Sequence, residues 1–219
     1  MALYRQINLV GKVPQVASHC TLRRGREGDT SSSDIAELGV VQSLLRIGSP
    51  PEFDAVDDAL AQGFVDYGPQ AGTRLLSALA KARRSDVAAM VLTWLQIAGS
   101  EVNVFHFGAV INAYAKDGEW VNAIELLRAM AQRRVEANTI AYSAAIRACE
   151  TGFAWLKALE LFGSMAQSMV ETNAFTCKAA ISACQKGKQW GIAMGLFNEA
   201  CQQRLELNLI TYSTVISTC

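Results

Sequence analysis

Residues 139–173 read TIAYSAAIRACETGFAWLKALELFGSMAQSMVETN. In this stretch apolar side chains recur twice at the i, i+3, i+4, i+7 spacing that places them on one face of a helix. The first series consists of Tyr142, Ala145, Ile146 and Cys149, and the second of Ala158, Leu161, Phe162 and Met165. Gly152 lies between the two series and marks a turn. The segment therefore predicts a pair of amphipathic helices joined by a short connection.

The same pattern recurs along the chain at a fixed period. Segments that begin at Pro69, Val104, Thr139 and Ala174 align without a gap, each starting 35 residues after the one before. The aligned columns contain Asn103, Asn138, Asn173 and Asn208; Glu101, Glu136, Glu171 and Glu206; Ala88, Ala123, Ala158 and Ala193; and Trp120, Trp155 and Trp190. A period in this range is typical of a solenoid, in which stacked hairpins bury the faces that a single hairpin leaves exposed.

The period divides the chain into domains. We predict an all-α solenoid of antiparallel helix pairs with repeats at 69–103, 104–138, 139–173 and 174–208 and a partial repeat at 209–219. Residues 34–68 are interpreted as a divergent helical hairpin that caps the array, because Ser49-Pro50-Pro51-Glu52 is a helix-start signal. In the first repeat we expect Ser85 to cap the second helix. The apolar stripe of residues 212–219 lacks a covering helix, so we expect the natural protein to be longer.

The first 33 residues differ in composition from the repeats. They contain no acidic residue before Glu27, several basic residues, and a hydroxyl-rich stretch from Thr30 to Ser33. This composition is typical of an organelle transit peptide, although an ordinary disordered N-terminus has a similar composition. We therefore predict a mitochondrial or chloroplast location, with the cytoplasm as the alternative.

Composition and motifs argue against several classes of protein. The chain is 51% hydrophobic and 18% charged with a formal net charge of zero, which argues against a strongly basic nucleic-acid clamp. The longest apolar run, from Val87 to Gly99, is too short to span a bilayer. The six cysteines form no Cys-x-x-Cys pair, and His19 and His106 are far apart, so we predict no metal site and no cofactor. We find no catalytic triad and no glycine-rich phosphate loop, and predict that the chain is not an enzyme.

The repeat units resemble pentatricopeptide repeats from Pro69 to Cys219. The segments Thr139-Ile-Ala-Tyr-Ser-Ala-Ala-Ile and Leu209-Ile-Thr-Tyr-Ser-Thr-Val-Ile resemble the opening helix of that family, and Ala158-Leu-Glu-Leu-Phe with Met165 resembles its second helix. Tetratricopeptide repeats have a period of 34 and a Trp-Leu-Gly pattern that this chain lacks. The resemblance implies a right-handed superhelix whose first helices line a concave surface. It also implies a monomer that binds single-stranded RNA in an organelle and supports RNA processing, stability, editing or translation.

The resemblance further implies that each repeat reads one base through its fifth and last residues. The pairs are Thr73 with Asn103, Gly108 with Asn138, Ser143 with Asn173 and Lys178 with Asn208, and Ser213 is the fifth residue of the partial repeat. By resemblance, Thr73/Asn103 and Ser143/Asn173 favour adenine. Gly108 offers no hydrogen-bonding side chain and Lys178 is a bulky cation, so we expect those two repeats to read weakly or to recognise phosphate.

Two further sets of residues are assigned by the same resemblance. The second residue of each repeat packs against base faces, which assigns stacking to Phe105, Ile140, Phe175 and Ile210. Lysines near the end of the first helix are candidates for phosphate contacts, namely Lys81, Lys116 and Lys186.

Each assignment has a simpler alternative. The asparagines suit the N-cap position of a helix, and a lysine on a helix surface is commonly just solvated. For the whole chain, the alternative function is a helical-repeat scaffold whose groove binds a protein segment.

Overall fold

The structure, a computed structural model, describes residues 39–63, 69–203, 205 and 209–217. In these residues the chain is all-helical and contains no strand. The prediction of an all-α solenoid is therefore confirmed. The N-terminal extension at residues 1–33 lies outside the described residues, so its interpretation as a transit peptide stays a prediction.

The described residues form eleven helices. A helix at residues 39–46 (α1) is followed by α2 (Phe53–Gly63), which begins directly after the Ser49–Glu52 signal. The helices after α2 are α3 (Pro69–Lys81), α4 (Ser85–Ile97), α5 (Val104–Asp117), α6 (Trp120–Gln132), α7 (Thr139–Thr151), α8 (Trp155–Gln167), α9 (Ala174–Lys186), α10 (Trp190–Gln202) and α11 (Leu209–Ile216). The first helices of the repeats begin at the residues that open the aligned segments of the sequence.

Each repeat stacks on the next through its first helix. Helices α3, α5, α7, α9 and α11 form a row in which each packs against its neighbours, and every second helix packs against the first helix of its own repeat. The four alanines of the repeated column, Ala88, Ala123, Ala158 and Ala193, are completely buried. Small side chains at these positions let the helices approach closely, so the repeated alanine is a packing feature.

The hairpin before the repeats shares their core. Val40, Leu44, Val56 and Leu60 are buried in the same cluster as the apolar side chains of α3 to α6. The indole Nε1 of the buried Trp94 donates a 2.6 Å hydrogen bond to Asp57 Oδ1. The described part of residues 34–68 therefore packs on the first repeat, while its function as a cap stays a prediction.

The prediction that Ser85 caps α4 is wrong. The helix begins at Ser85 itself, and Arg84 precedes it without a side-chain capping bond. The guanidinium of Arg84 donates instead to both carboxylate oxygens of Asp86 and to the carbonyl groups of Leu45, Ile47 and Gly48 at the end of α1. These contacts join α1 to the start of α4. Arg84 and Asp86 therefore stabilise the packing of the two helices, and neither residue acts through the Ser85 cap that the sequence predicted.

Glycine occurs at the turn between the two helices of a repeat for two different physical reasons. The fifteenth residue of each repeat has left-handed backbone geometry, but only Gly118 (φ 76°) is a glycine; the others are Arg83, Phe153 and Lys188. Gly152 and Gly187 have negative φ. A Cβ at Gly152 would lie 2.3 Å from Trp120 Cδ1, and one at Gly187 would lie 2.4 Å from Trp155 Cδ1. Trp120 and Trp155 therefore each pack on the turn glycine of the following repeat.

Candidate nucleic-acid interface

The repeated asparagines cap the first helices. Asn103, Asn138 and Asn173 are the N-cap residues of α5, α7 and α9, and their backbones are extended. The Oδ1 atom of Asn138 accepts a 3.0 Å hydrogen bond from the Ala141 amide. The Oδ1 atom of Asn173 accepts bonds from the amides of Phe175 (3.0 Å) and Thr176 (2.9 Å). The simpler alternative, helix capping, is therefore confirmed at these three positions, while Asn208 lies outside the described residues.

Capping leaves half of each amide side chain available. The oxygen faces the helix amides, and the Nδ2 groups of Asn103, Asn138 and Asn173 make no hydrogen bond with any described residue. An amide nitrogen can donate two hydrogen bonds to an acceptor on a ligand. Capping and ligand contact are thus compatible functions of the same side chain, because they use different atoms.

The fifth residues of the repeats offer different chemistry. Thr73, Ser143 and Lys178 are half-buried on the first helices, and Ser213 is exposed on α11. The Ser143 hydroxyl donates to the Thr139 carbonyl one turn earlier, so its oxygen remains able to accept. Gly108 is buried, yet a Cβ built there would have Ile140 Cγ2, 4.0 Å away, as its nearest neighbour. A small side chain would therefore fit at position 108.

The second residues of the repeats form an exposed apolar row. Phe105, Ile140 and Phe175 follow the three asparagines by two residues and are 56%, 60% and 75% exposed. Large apolar side chains with this exposure do not contribute to the core, so they are available for contact with a ligand. The side chain of Ile210 lies outside the described residues.

Lys116 and Lys186, near the ends of their first helices, bind the preceding repeat. Lys116 Nζ donates to the Ala80 carbonyl (2.9 Å), and Lys186 Nζ donates to the Glu150 carbonyl (3.1 Å). Thr151, at the same position of its repeat, donates from Oγ1 to the Ala115 carbonyl (2.7 Å). These donors satisfy carbonyl groups at a helix C-terminus, which have no partner within the helix.

Sequence reasoning missed this inter-repeat contact. The series of Lys81, Lys116 and Lys186 includes no residue of repeat 139–173, where Thr151 supplies the same hydrogen-bond donor. The recurrence of a donor at the thirteenth residue was the signal that could have revealed it. Lys81 is exposed, and the phosphate contacts of all three lysines stay a prediction.

The buried cysteines are packing residues. Burial raises the pKa of the Cys149 thiol to about 12 and the pKa values of Cys177 and Cys184 to about 11, so these thiols are neutral at physiological pH. Among the described residues no group of three or more His, Cys, Asp or Glu side chains could hold a metal ion. None of the helices in the described ranges is long and apolar enough to cross a membrane.

Comparison with known proteins agrees with this architecture. Residues 73–200 match the family model described as pentatricopeptide repeat-containing protein. The structure resembles PPR10 in complex with an 18-nt psaJ RNA element, with a TM-score of 0.66 and 21% identity over 85% of this chain and 29% of that protein. The crystal structure of PPR10 from maize gives a TM-score of 0.63 and 16% identity over 84% of this chain and 26% of that one. This chain therefore spans less than a third of PPR10.

A shorter solved structure matches over nearly its whole length. The PPR domain of Arabidopsis thaliana protein-only RNase P 1, in complex with tRNA, gives a TM-score of 0.63 and 13% identity over 85% of this chain and 94% of that domain. No curated protein matches the sequence. Because the family model covers more than half of the residues and the solved structures share the fold, the chain belongs to the pentatricopeptide repeat family.

Proposed function

We propose that the chain binds single-stranded RNA along its row of first helices, each repeat contacting one base through its fifth and last residues. The observation that carries the proposal is the row of capping asparagines, whose Nδ2 donors have no partner among the described residues. Phe105, Ile140 and Phe175 lie exposed beside them. An aromatic face that stacks on a base contributes about 1–3 kcal/mol in single-strand binders. Both kinds of contact recur at the repeat period, as a strand of successive bases requires.

The contacts predict a base preference that varies along the array. Thr73/Asn103 and Ser143/Asn173 combine a hydroxyl with an amide, a pairing that by resemblance to the family favours adenine. Gly108/Asn138 and Lys178/Asn208 read weakly, because one lacks a side chain and the other carries a bulky cation. The solved complexes of PPR10 and the RNase P domain with RNA support RNA as the ligand.

We further propose that the chain acts as a binding protein rather than an enzyme. In this proposal it functions as a monomer in a mitochondrion or chloroplast, where it supports RNA processing, stability, editing or translation. The organellar assignment depends on residues 1–33.

Fluorescence anisotropy with short labelled RNAs tests the proposal. Adenine-rich single strands should bind more tightly than cytosine-rich strands or a duplex, and the affinity should fall between about 50 and 200 mM salt as counterions are released. Absence of salt-sensitive binding would contradict RNA as the ligand. Recovery of a peptide partner in a complex that survives nuclease would favour the protein-scaffold alternative.

Two variants of Asn173 separate capping from base contact. Asn173→Asp keeps an oxygen for the helix amides but replaces the Nδ2 donor by an acceptor, so adenine preference should fall while stability is retained. Asn173→Ala removes both functions and should also destabilise the chain by about 1 kcal/mol. Unchanged base preference in the aspartate variant would leave capping as the only function of Asn173.

A further inference from the structure

The three capping asparagines are not held equally. The Asn173 backbone amide donates a 2.9 Å bond to Thr176 Oγ1, and that hydroxyl donates to the Asn173 carbonyl (2.8 Å). These bonds add to the two amide bonds at Asn173 Oδ1. At Asn138 the corresponding residue is Ala141, which has no polar side chain, and Oδ1 accepts a single bond. Thr176 therefore bonds both the backbone and the side chain of Asn173, whereas Ala141 bonds only the side chain of Asn138.

His106 anchors Asn103 as Thr176 anchors Asn173. The Asn103 amide donates to His106 Nδ1 (3.1 Å), and Nδ1 also lies 2.8 Å from Asn103 Oδ1. An unprotonated Nδ1 accepts from the backbone amide and a protonated one donates to the side-chain oxygen, so either tautomer holds Asn103.

Both anchoring side chains are fixed by their surroundings. His106 is 2% exposed and Thr176 is completely buried. The imidazole of His106 fits against Gly72 of the preceding repeat, where a Cβ would lie 2.7 Å from Nε2. A buried side chain with little space to rotate holds its hydrogen-bond partner in one orientation.

We propose that His106 and Thr176 are positioning residues that orient Asn103 and Asn173 for base contact, which makes their repeats more discriminating than repeat 104–138, where Asn138 has no such partner. This inference rests on the proposed function. The anchored asparagines belong to the repeats whose fifth residues are Thr73 and Ser143, and the singly held Asn138 belongs to the repeat with Gly108. A donor already fixed in the free protein loses less conformational freedom on binding than a mobile one, so it discriminates more strongly.

Two variants of Thr176 separate the hydroxyl from its packing. Thr176→Val keeps the buried shape and removes the hydroxyl, while Thr176→Ser keeps the hydroxyl and removes a methyl group. In the free protein, ¹⁵N relaxation of side-chain amides should show Asn103 and Asn173 more ordered than Asn138. The valine variant should lower the order of Asn173 towards that of Asn138, and the serine variant should retain it. Equal order of all three asparagines in the unsubstituted protein would overturn the proposal without any RNA.

Base discrimination supplies the second measurement. Affinities are measured for RNAs that differ only at the nucleotide read by repeat 139–173. The preference of the valine variant for adenine at that nucleotide should be about two- to tenfold lower than that of the unsubstituted protein. Discrimination should be retained in the serine variant, and the nucleotide read through Asn103 should be unaffected in both. Full discrimination by the valine variant, alongside a mobile Asn173, would refute the positioning function. Failure of the unsubstituted protein to bind any RNA would instead contradict the proposed function, while the amide-order result would still stand.

Discussion

Replacement of Gly187 by alanine should destabilise the solenoid for a steric reason. The added Cβ would lie 2.4 Å from Trp155 Cδ1, 2.5 Å from Cγ and 3.0 Å from Cβ. The backbone at Gly187 (φ −80°, ψ 1°) is one that alanine adopts readily, so the cost comes from the indole. Contact with Trp155 Cβ means that rotation of the ring alone does not relieve the clash. Overpacking of this kind costs about 1–3 kcal/mol.

The same substitution at Gly163 is the matched control. Gly163 lies in the interior of α8, and a Cβ there would have nothing within 4 Å. Alanine should stabilise this helix by about 0.5–1 kcal/mol because it loses less backbone entropy on folding. One substitution type should therefore have opposite effects at two glycines of neighbouring helices.

Thermal unfolding followed by circular dichroism at the helix band measures both effects. In a chain of this size 1 kcal/mol corresponds to a shift in Tm of about 2–4 °C, so Gly187→Ala should lower Tm and Gly163→Ala should raise it. Adding Trp155→Ala to Gly187→Ala should show coupling, with the pair less destabilised than the sum of the single variants. Unchanged stability of Gly187→Ala, or additive effects in the pair, would refute packing of the indole on the turn glycine.

Three further predictions concern charge, thiols and base reading. Burial alone would raise the pKa of Asp86, but hydrogen bonds from Arg84, the Val87 amide and Ser49 lower it below its ordinary value of 3.8. The stability that this lowered pKa contributes is present above pH 3.8 and is lost as the pH falls through the folded-state pKa. Asp86→Asn should therefore be less stable than the unsubstituted chain at neutral pH, and the difference should shrink on acidification. A difference in unfolding free energy that stays constant in urea titrations at each pH would contradict this. Iodoacetamide, with the labelled sites mapped by mass spectrometry, should modify the exposed Cys201 in the native protein and should modify Cys149, Cys177 and Cys184 only after unfolding. Modification of these three cysteines in the native protein would show that they are not in the core. Gly108→Ser should give repeat 104–138 a measurable preference for adenine in anisotropy assays, because the site has space for the hydroxyl. Intact RNA binding with an unaltered base preference would argue against recognition of the base by the fifth residue.

The helices were predictable because their determinants lie within one repeat. The apolar spacing around Tyr142 and Ala158 depends only on the local sequence, and it predicted α7 and α8. Phe105 and Phe175 are exposed and belong to no apolar stripe, and their assignment to base stacking stays a prediction.

Contacts between repeats were not predictable from this local pattern. Lys116 reaches the Ala80 carbonyl, and Gly187 receives the indole of Trp155, only because stacking brings residues from adjacent repeats together. Ser85 suited an N-cap by residue type, yet the local sequence did not show that Arg84 would contact the end of α1. The anchoring of Asn103 by His106 and of Asn173 by Thr176 is by contrast local, because it joins residues three positions apart at the start of α5 and α9.

The most direct test of RNA binding by the first helices is a heteronuclear NMR titration of the chain with a short adenine-rich single strand. Chemical-shift changes should concentrate in residues 103–108, 138–143 and 173–178, including the side-chain amides of Asn103 and Asn173. Amides of the second helices, such as those of Trp155–Gln167, should change little. Changes concentrated on the second helices, or no saturable change at all, would contradict RNA binding by the first helices.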